Sequence, residues 1–184
     1  MALVGAWAPL ASQAPPTVEE QAKVHAGLYE ITTSTADGSV WVAAVGSNLT
    51  PGARLVELDP VTLEERRHID MGEAAAFGLA INNRTNTLYT SNTRAGNMSA
   101  VNLATGEVKL IDREGLEGAP HLFRVLVDEA NNRIYSSVAE TPGKVWVVNG
   151  ATNELEHIIE DVGSRPTGLA LDPQRNRLYV SNLG

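Results

Sequence analysis

The chain of 184 residues contains no cysteine. Disulfides, thiolate metal sites and a cysteine nucleophile are therefore excluded. Aromatic residues are scarce, at 5%, so the positions where they recur are informative. Positive charge is in deficit: 14 Lys and Arg face 22 Asp and Glu, for a net charge of −8. That balance argues against a long footprint on a phosphate backbone. Long hydrophobic runs are missing as well. Spanning a bilayer takes about 20 apolar residues. The run from Ala2 to Ala11 is shorter, and Arg, Asp, Glu or Asn interrupts every later stretch, so no membrane-spanning segment is expected. The chain is nevertheless 43% hydrophobic, enough to build a packed core. Its length fits one domain or part of a larger one.

Ala2 to Ala11 followed by Ser12-Gln13-Ala14 reads as the apolar part and cleavage site of a secretory signal within residues 1–14. No Lys or Arg precedes the run, and the alternative is an Ala/Pro-rich tail. Export would place the protein in the periplasm or outside the cell. Residues 15–26 form a leader, in which Val18 to His25 is the best candidate for a short helix.

The rest of the chain repeats itself. Phe77 to Asn82, Phe123 to Asp128 and Thr167 to Asp172 each lead through a polar turn into Thr87 to Asn92, Arg133 to Ser137 and Arg177 to Asn182. A weaker copy runs from Tyr29 to Ala43. The aromatics Trp41, Tyr89, Tyr135 and Tyr179 recur at intervals of 48, 46 and 44 residues, about one propeller blade. Each full unit continues with a third alternating run (Leu55 to Asp59, Met98 to Asn102, Lys144 to Asn149), a tight turn and a fourth strand. Short alternating runs split by Asn, Asp, Gly and Pro signal antiparallel meanders, and the linkers are too short for parallel crossovers. The pattern predicts an all-β chain, a β-propeller of four-stranded antiparallel blades over residues 27–184. The blades fall at about 27–70, 71–117 and 118–161, with an incomplete one at 162–184, making about three and a half. A half-made blade implies a fragment, a truncated product without independent function, or a homodimer that completes the propeller.

Tyr179-Val180-Ser181-Asn182, Tyr89-Thr90-Ser91-Asn92 and, less well, Tyr135-Ser136-Ser137-Val138 resemble the signature of the YVTN-type β-propeller repeat family. Gly27 to Glu30, Leu55 to Leu63, Ala80 to Asn83, Thr105 to Lys109 and Trp146 to Gly150 resemble its periplasmic YncE-like members. The resemblance spans about 25–184. It implies a WD40-like propeller of seven blades, of which this chain covers about the N-terminal half. It also implies export and an association with single-stranded DNA.

In a propeller, the loops from fourth to first strand and from second to third strand crowd one face around the channel. The first set carries Glu73, Phe77, His121, Phe123, Arg124, Arg165 and Pro166; the second carries Asn48, Asn92, Thr93, Arg94 and Asn97. Arg94, Arg124 and Arg165 can hold phosphate oxygens, and Phe77 or Phe123 can stack a base. The competing reading has the phenylalanines filling space between blades and the arginines paired with Glu73 or Glu140. Trp41, Tyr89, Tyr135 and Tyr179 read as structural repeat positions, and Asn92 and Asn182 as braces of the turn after the second strand.

No metal or cofactor is expected. His25, His68, His121 and His157 fall about one per blade without zinc spacing. Asp112, Glu114 and Glu117 lack the spacing of a calcium loop. Gly115-Leu116-Glu117-Gly118 lacks the Lys-Ser/Thr of a phosphate loop. No Gly-x-Ser-x-Gly elbow exists, and Ser136 and Ser137, near Asp128, fall in a strand. Two function classes follow. One is a non-enzymatic binding or scaffold propeller of the cell envelope, contacting single-stranded DNA, a peptide or another envelope protein. The other is a lactonase-type hydrolase using Glu73, His121 and Asn92 at the channel mouth.

Overall fold

The computed structural model describes residues 17–48, 52–113 and 118–184. The signal-like segment, most of the Gly115 to Gly118 loop, and Glu114 and Glu117 lie outside the described residues. The described chain is all-β. Strands β1 (Leu28–Thr33), β2 (Val40–Ala44), β3 (Ala53–Leu58) and β4 (Glu65–Gly72) form the first sheet. The second comprises β5 (Gly78–Asn82), β6 (Thr87–Asn92), β7 (Asn97–Asn102) and β8 (Val108–Ile111). The third comprises β9 (Leu122–Asp128), β10 (Arg133–Val138), β11 (Lys144–Asn149) and β12 (Glu154–Ile159). β13 (Pro166–Asp172) and β14 (Arg177–Asn182) form a two-stranded fourth. Each four-stranded sheet is an antiparallel meander in sequence order, as in propeller blades. The first strands β1, β5, β9 and β13 contact one another in succession, so they form the inner wall.

The same local chemistry closes corresponding turns. In the hairpins between first and second strands, Gly38, Asn86, Asn132 and Asn176 have φ of 74°, 51°, 50° and 50°. Glycine lacks the Cβ that penalises this left-handed region, and asparagine tolerates it through local hydrogen bonds. Between third and fourth strands, the Oδ1 of Asp59, Asn102 and Asn149 accepts backbone N–H groups of Val61, Ala104 and Ala151 at 2.8, 2.9 and 2.8 Å. Each turn then ends in a left-handed residue: Leu63 at 56°, Gly106 at 77° and Asn153 at 54°.

The cores lie between blades. Trp41, Leu55 and Ile69 of the first sheet pack with Leu79, Leu88 and Val101 of the second. Tyr89, Met98 and Ile111 pack with Val125, Ile134 and Trp146 of the third. The repeated aromatic therefore faces the next blade, and its burial depends on that blade. Trp41 and Tyr89 are fully buried, Tyr135 is half-buried, and Tyr179 is 50% exposed. Neighbouring hairpins are linked too. Asn83 Oδ1 accepts the N–H of Thr35 at 2.8 Å, and the Asn83 N–H donates to Glu129 Oε1 at 2.7 Å.

Val18 to His25 is not helical. The end of the leader is instead hydrogen-bonded to the β2–β3 connection. Val45 N–H donates to Gly27 O at 2.9 Å, Gly46 N–H to Ala26 O at 3.1 Å, and His25 Nε2 reaches Gly52 O at 3.2 Å. Val24 packs on Val42, Val56 and Leu58, on the face of the first sheet turned away from the second. Docking of that apolar side chain and the leader's backbone overrides the short helical pattern.

Candidate functional site on the inner wall

The strand register aligns the inner wall. Thr32, Ala80, Leu126 and Ala170 pair with Trp41, Tyr89, Tyr135 and Tyr179. Counting back along each first strand, through the register shift that β1, β9 and β13 each carry near this point, places Tyr29, Phe77, Phe123 and Thr167 at one level, and Glu30, Gly78, Arg124 and Gly168 at the next. Three aromatics thus recur where the chain enters successive blades.

Two of those residues contact each other, and the third has a ring partner of its own. Tyr29 meets the Phe77 ring edge-on, with centroids 4.4 Å apart and an interplanar angle of 76°. The Arg94 guanidinium lies 5.3 Å from the Phe77 centroid, close enough for a cation–π interaction. His121 stacks on Phe123, with centroids 6.4 Å apart and planes 16° from parallel. Tyr29 is 60% exposed and Phe123 is 40% exposed; Phe77 is half-buried against the core between the first two sheets.

The arginines divide into three environments. Arg124 Nη1 donates to Glu30 Oε2 at 2.7 Å, joining the first strands of blades one and three. The sequence points to Glu73 or Glu140 as partners, but the inner wall supplies a carboxylate distant in sequence. Arg94 is exposed over Phe77. Arg165 is exposed at φ 53°, its backbone N–H donating to Glu140 O at 2.8 Å. Among the described residues, its guanidinium makes no ion pair.

Asn92 is fully buried. Its Nδ2 donates to Asn97 Oδ1 and Ser99 Oγ, both at 2.8 Å, and its Oδ1 accepts from Thr90 Oγ1 at 2.8 Å. These bonds fix the β6–β7 turn and leave the side chain facing inward. Asn182, at the end of β14, is exposed beside Gly163. Glu73 is exposed, and Glu140 Oε1 accepts the backbone N–H of His121 at 3.1 Å. Among the described residues, no hydrogen bond or ion pair joins Glu73, His121 and Asn92, and no three His, Asp or Glu cluster as a metal set. No helix among them is long and apolar enough to cross a membrane.

Buried hydroxyls connect the wall to the strands behind it. Ser91 Oγ accepts from Gly78 N–H at 2.9 Å and donates to Phe123 O at 2.5 Å, bridging blades two and three. Ser137 Oγ accepts from Arg124 N–H at 3.1 Å. Ser136 Oγ is buried without a partner. Sequence reasoning missed Tyr29 and Glu30 as members of this group, although alignment of the weaker first repeat with the others places both there.

Comparison with known proteins agrees with the repeat and the sheets. The chain is 37% identical over 163 residues to the protein described as uncharacterized YncE of Escherichia coli K12, and 38% identical over the same length to YncE of Salmonella typhimurium. This chain is homologous to YncE. The match covers 85% of this chain and 46% of each relative, so the chain spans about half the length of the YncE proteins. No family model matches it. Among solved structures, it resembles hydrazine synthase of Kuenenia stuttgartiensis, with TM-score 0.69, 16% identity, and coverage of 92% of this chain and 47% of that one. It also resembles a chain of a nidogen/laminin complex, with TM-score 0.68, 13% identity, and coverage of 84% and 56%. Both likenesses concern the fold alone.

Proposed function

We propose that the chain is part of a non-enzymatic binding propeller of the cell envelope, closed to seven blades in the longer protein, whose channel-mouth face takes single-stranded DNA. The observation carrying this reading is the recurrence of Tyr29, Phe77 and Phe123 at one level of the inner wall, with Arg94 over one ring and Arg124 beside another. Exposed rings offer stacking surfaces to bases, and guanidinium groups can contact phosphate oxygens. The family resemblance points the same way. The net charge of −8 opposes a polyanion, so binding is weak, and the few arginine–phosphate contacts make it fall as salt rises. Export belongs to the same proposal and rests on the apolar N-terminal segment and the homology to YncE.

The test is fluorescence anisotropy of a labelled oligothymidylate titrated with the chain at several salt concentrations. Binding should weaken as salt rises. Arg94→Ala should reduce both affinity and salt slope, and Phe123→Ala should weaken binding by about 5- to 150-fold, the equivalent of losing one stacked base. Binding indifferent to salt and to both substitutions would refute the proposal.

A further inference from the structure

Glu30 and Arg124 form an ion pair between strands that are not neighbours. β1 belongs to blade one and β9 to blade three, with β5 of blade two between them. The residue at the same level of β5 is Gly78, and that of β13 is Gly168. Blade two therefore places no side chain at this level, and the two long side chains meet at 2.7 Å across it. Neither is buried: side-chain exposures are 47% for Arg124 and 27% for Glu30. An exposed pair of this kind contributes little to stability, and its carboxylate can return to water when displaced. Glu30 directly follows Tyr29, which contacts Phe77 beneath Arg94. The chain thus supplies its own carboxylate to an arginine at the edge of the proposed binding face.

We propose that Glu30 is a resident anion that competes with an incoming phosphate for Arg124 and so sets the affinity of the mouth. The inference rests on the DNA-binding reading above. A bound phosphodiester takes the place of the carboxylate on Arg124, and Glu30 swings into solvent. Displacing Glu30 costs the same for every anion that takes Arg124, so an anion without further contacts, such as stacked bases, is left with the least affinity.

The test uses the same labelled oligothymidylate at low salt with five proteins: the unsubstituted chain, Glu30→Gln, Glu30→Asp, Arg124→Ala and the double variant Glu30→Gln/Arg124→Ala. Glu30→Gln should tighten binding about 3- to 10-fold. Glu30→Asp keeps the charge but draws it back by one methylene, and should tighten binding by less than Glu30→Gln. In the Arg124→Ala background, Glu30→Gln should add less than about 2-fold, because the competition has gone. Equal tightening in both backgrounds would make the effect one of general charge and overturn the inference. If the unsubstituted chain binds and Arg94→Ala weakens it while both Glu30 variants leave affinity unchanged, the DNA-binding reading stands and this inference fails. If neither the unsubstituted chain nor Glu30→Gln binds at low salt, the DNA-binding reading itself fails. Circular dichroism melts of each variant confirm folding, and the aspartate variant keeps the test decisive should glutamine disturb β1.

Discussion

Replacing Tyr89 by phenylalanine removes one oxygen from the interface between blades two and three, where it reaches the β11–β12 turn. That oxygen donates to Asn153 Oδ1 at 2.6 Å, and the tyrosine has no exposed surface. A buried hydrogen bond of this kind contributes about 1 kcal/mol net, so Tyr89→Phe should lower stability by about that amount at pH 8. Alkaline pH adds a sharper expectation. Burial pushes the Tyr89 hydroxyl from 10.0 up to about 12. Below pH 10 it is protonated in folded and unfolded chains alike, and its contribution is complete. Between pH 10 and 12 the unfolded chain loses the proton first, so stability falls as pH rises. The full gap corresponds to about 2.7 kcal/mol. Tyr89→Phe cannot ionise and escapes this loss. Urea unfolding followed by fluorescence of the buried Trp41 and Trp146, at intervals from pH 8 to 11.5, measures both effects. The two stability curves should start about 1 kcal/mol apart, converge above pH 10 and cross. Parallel curves, or no difference at pH 8, would refute the reasoning. Asn153→Gly keeps the left-handed backbone at φ 54° and removes the acceptor. In a double-mutant cycle with Tyr89→Phe it should show a coupling of about 1 kcal/mol.

Four further expectations concern the repeat. A Cβ at Gly78 would lie 2.4 Å from Phe123 O and 2.7 Å from Ser91 Oγ, so Gly78→Ala should destabilise by about 1–3 kcal/mol in urea unfolding. Leu63 holds a left-handed φ of 56° where the other two blades place Gly106 and Asn153; Leu63→Asn should raise stability by about 1 kcal/mol. Ser136→Ala removes a buried hydroxyl that has no partner, and its unfolding midpoint should stay level or rise by the equivalent of up to about 1 kcal/mol. Arg67→Ala loses a 2.6 Å bond to Glu57, a 2.6 Å bond to Leu103 O and a contact 5.2 Å above Trp41; it should cost about 1–2 kcal/mol, discounted because the guanidinium is partly solvated, and shift the emission of Trp41.

The sequence by itself determined the repeat unit, the strand order and the turns. Alternation, Asn or Gly at each hairpin corner and the recurring aromatic are short-range facts, written in residues that never need a distant partner to declare themselves. Tertiary structure decided what those residues meet. Tyr135 and Tyr179 carry the same signature as Tyr89 yet are less buried, because burial of that position depends on the blade that follows. Thr90 and Ser136 occupy equivalent places; Thr90 bonds to Asn92, whereas Val138 stands at the corresponding place in blade three and Ser136 is left unpaired. The leader's pattern permits a helix, but its backbone and Val24 find partners on blade one. The ion pair between Glu30 and Arg124 joins residues 94 apart in the chain. Local pattern cannot disclose it, since only the curvature of the inner wall and a glycine at the intervening position bring the two charges together.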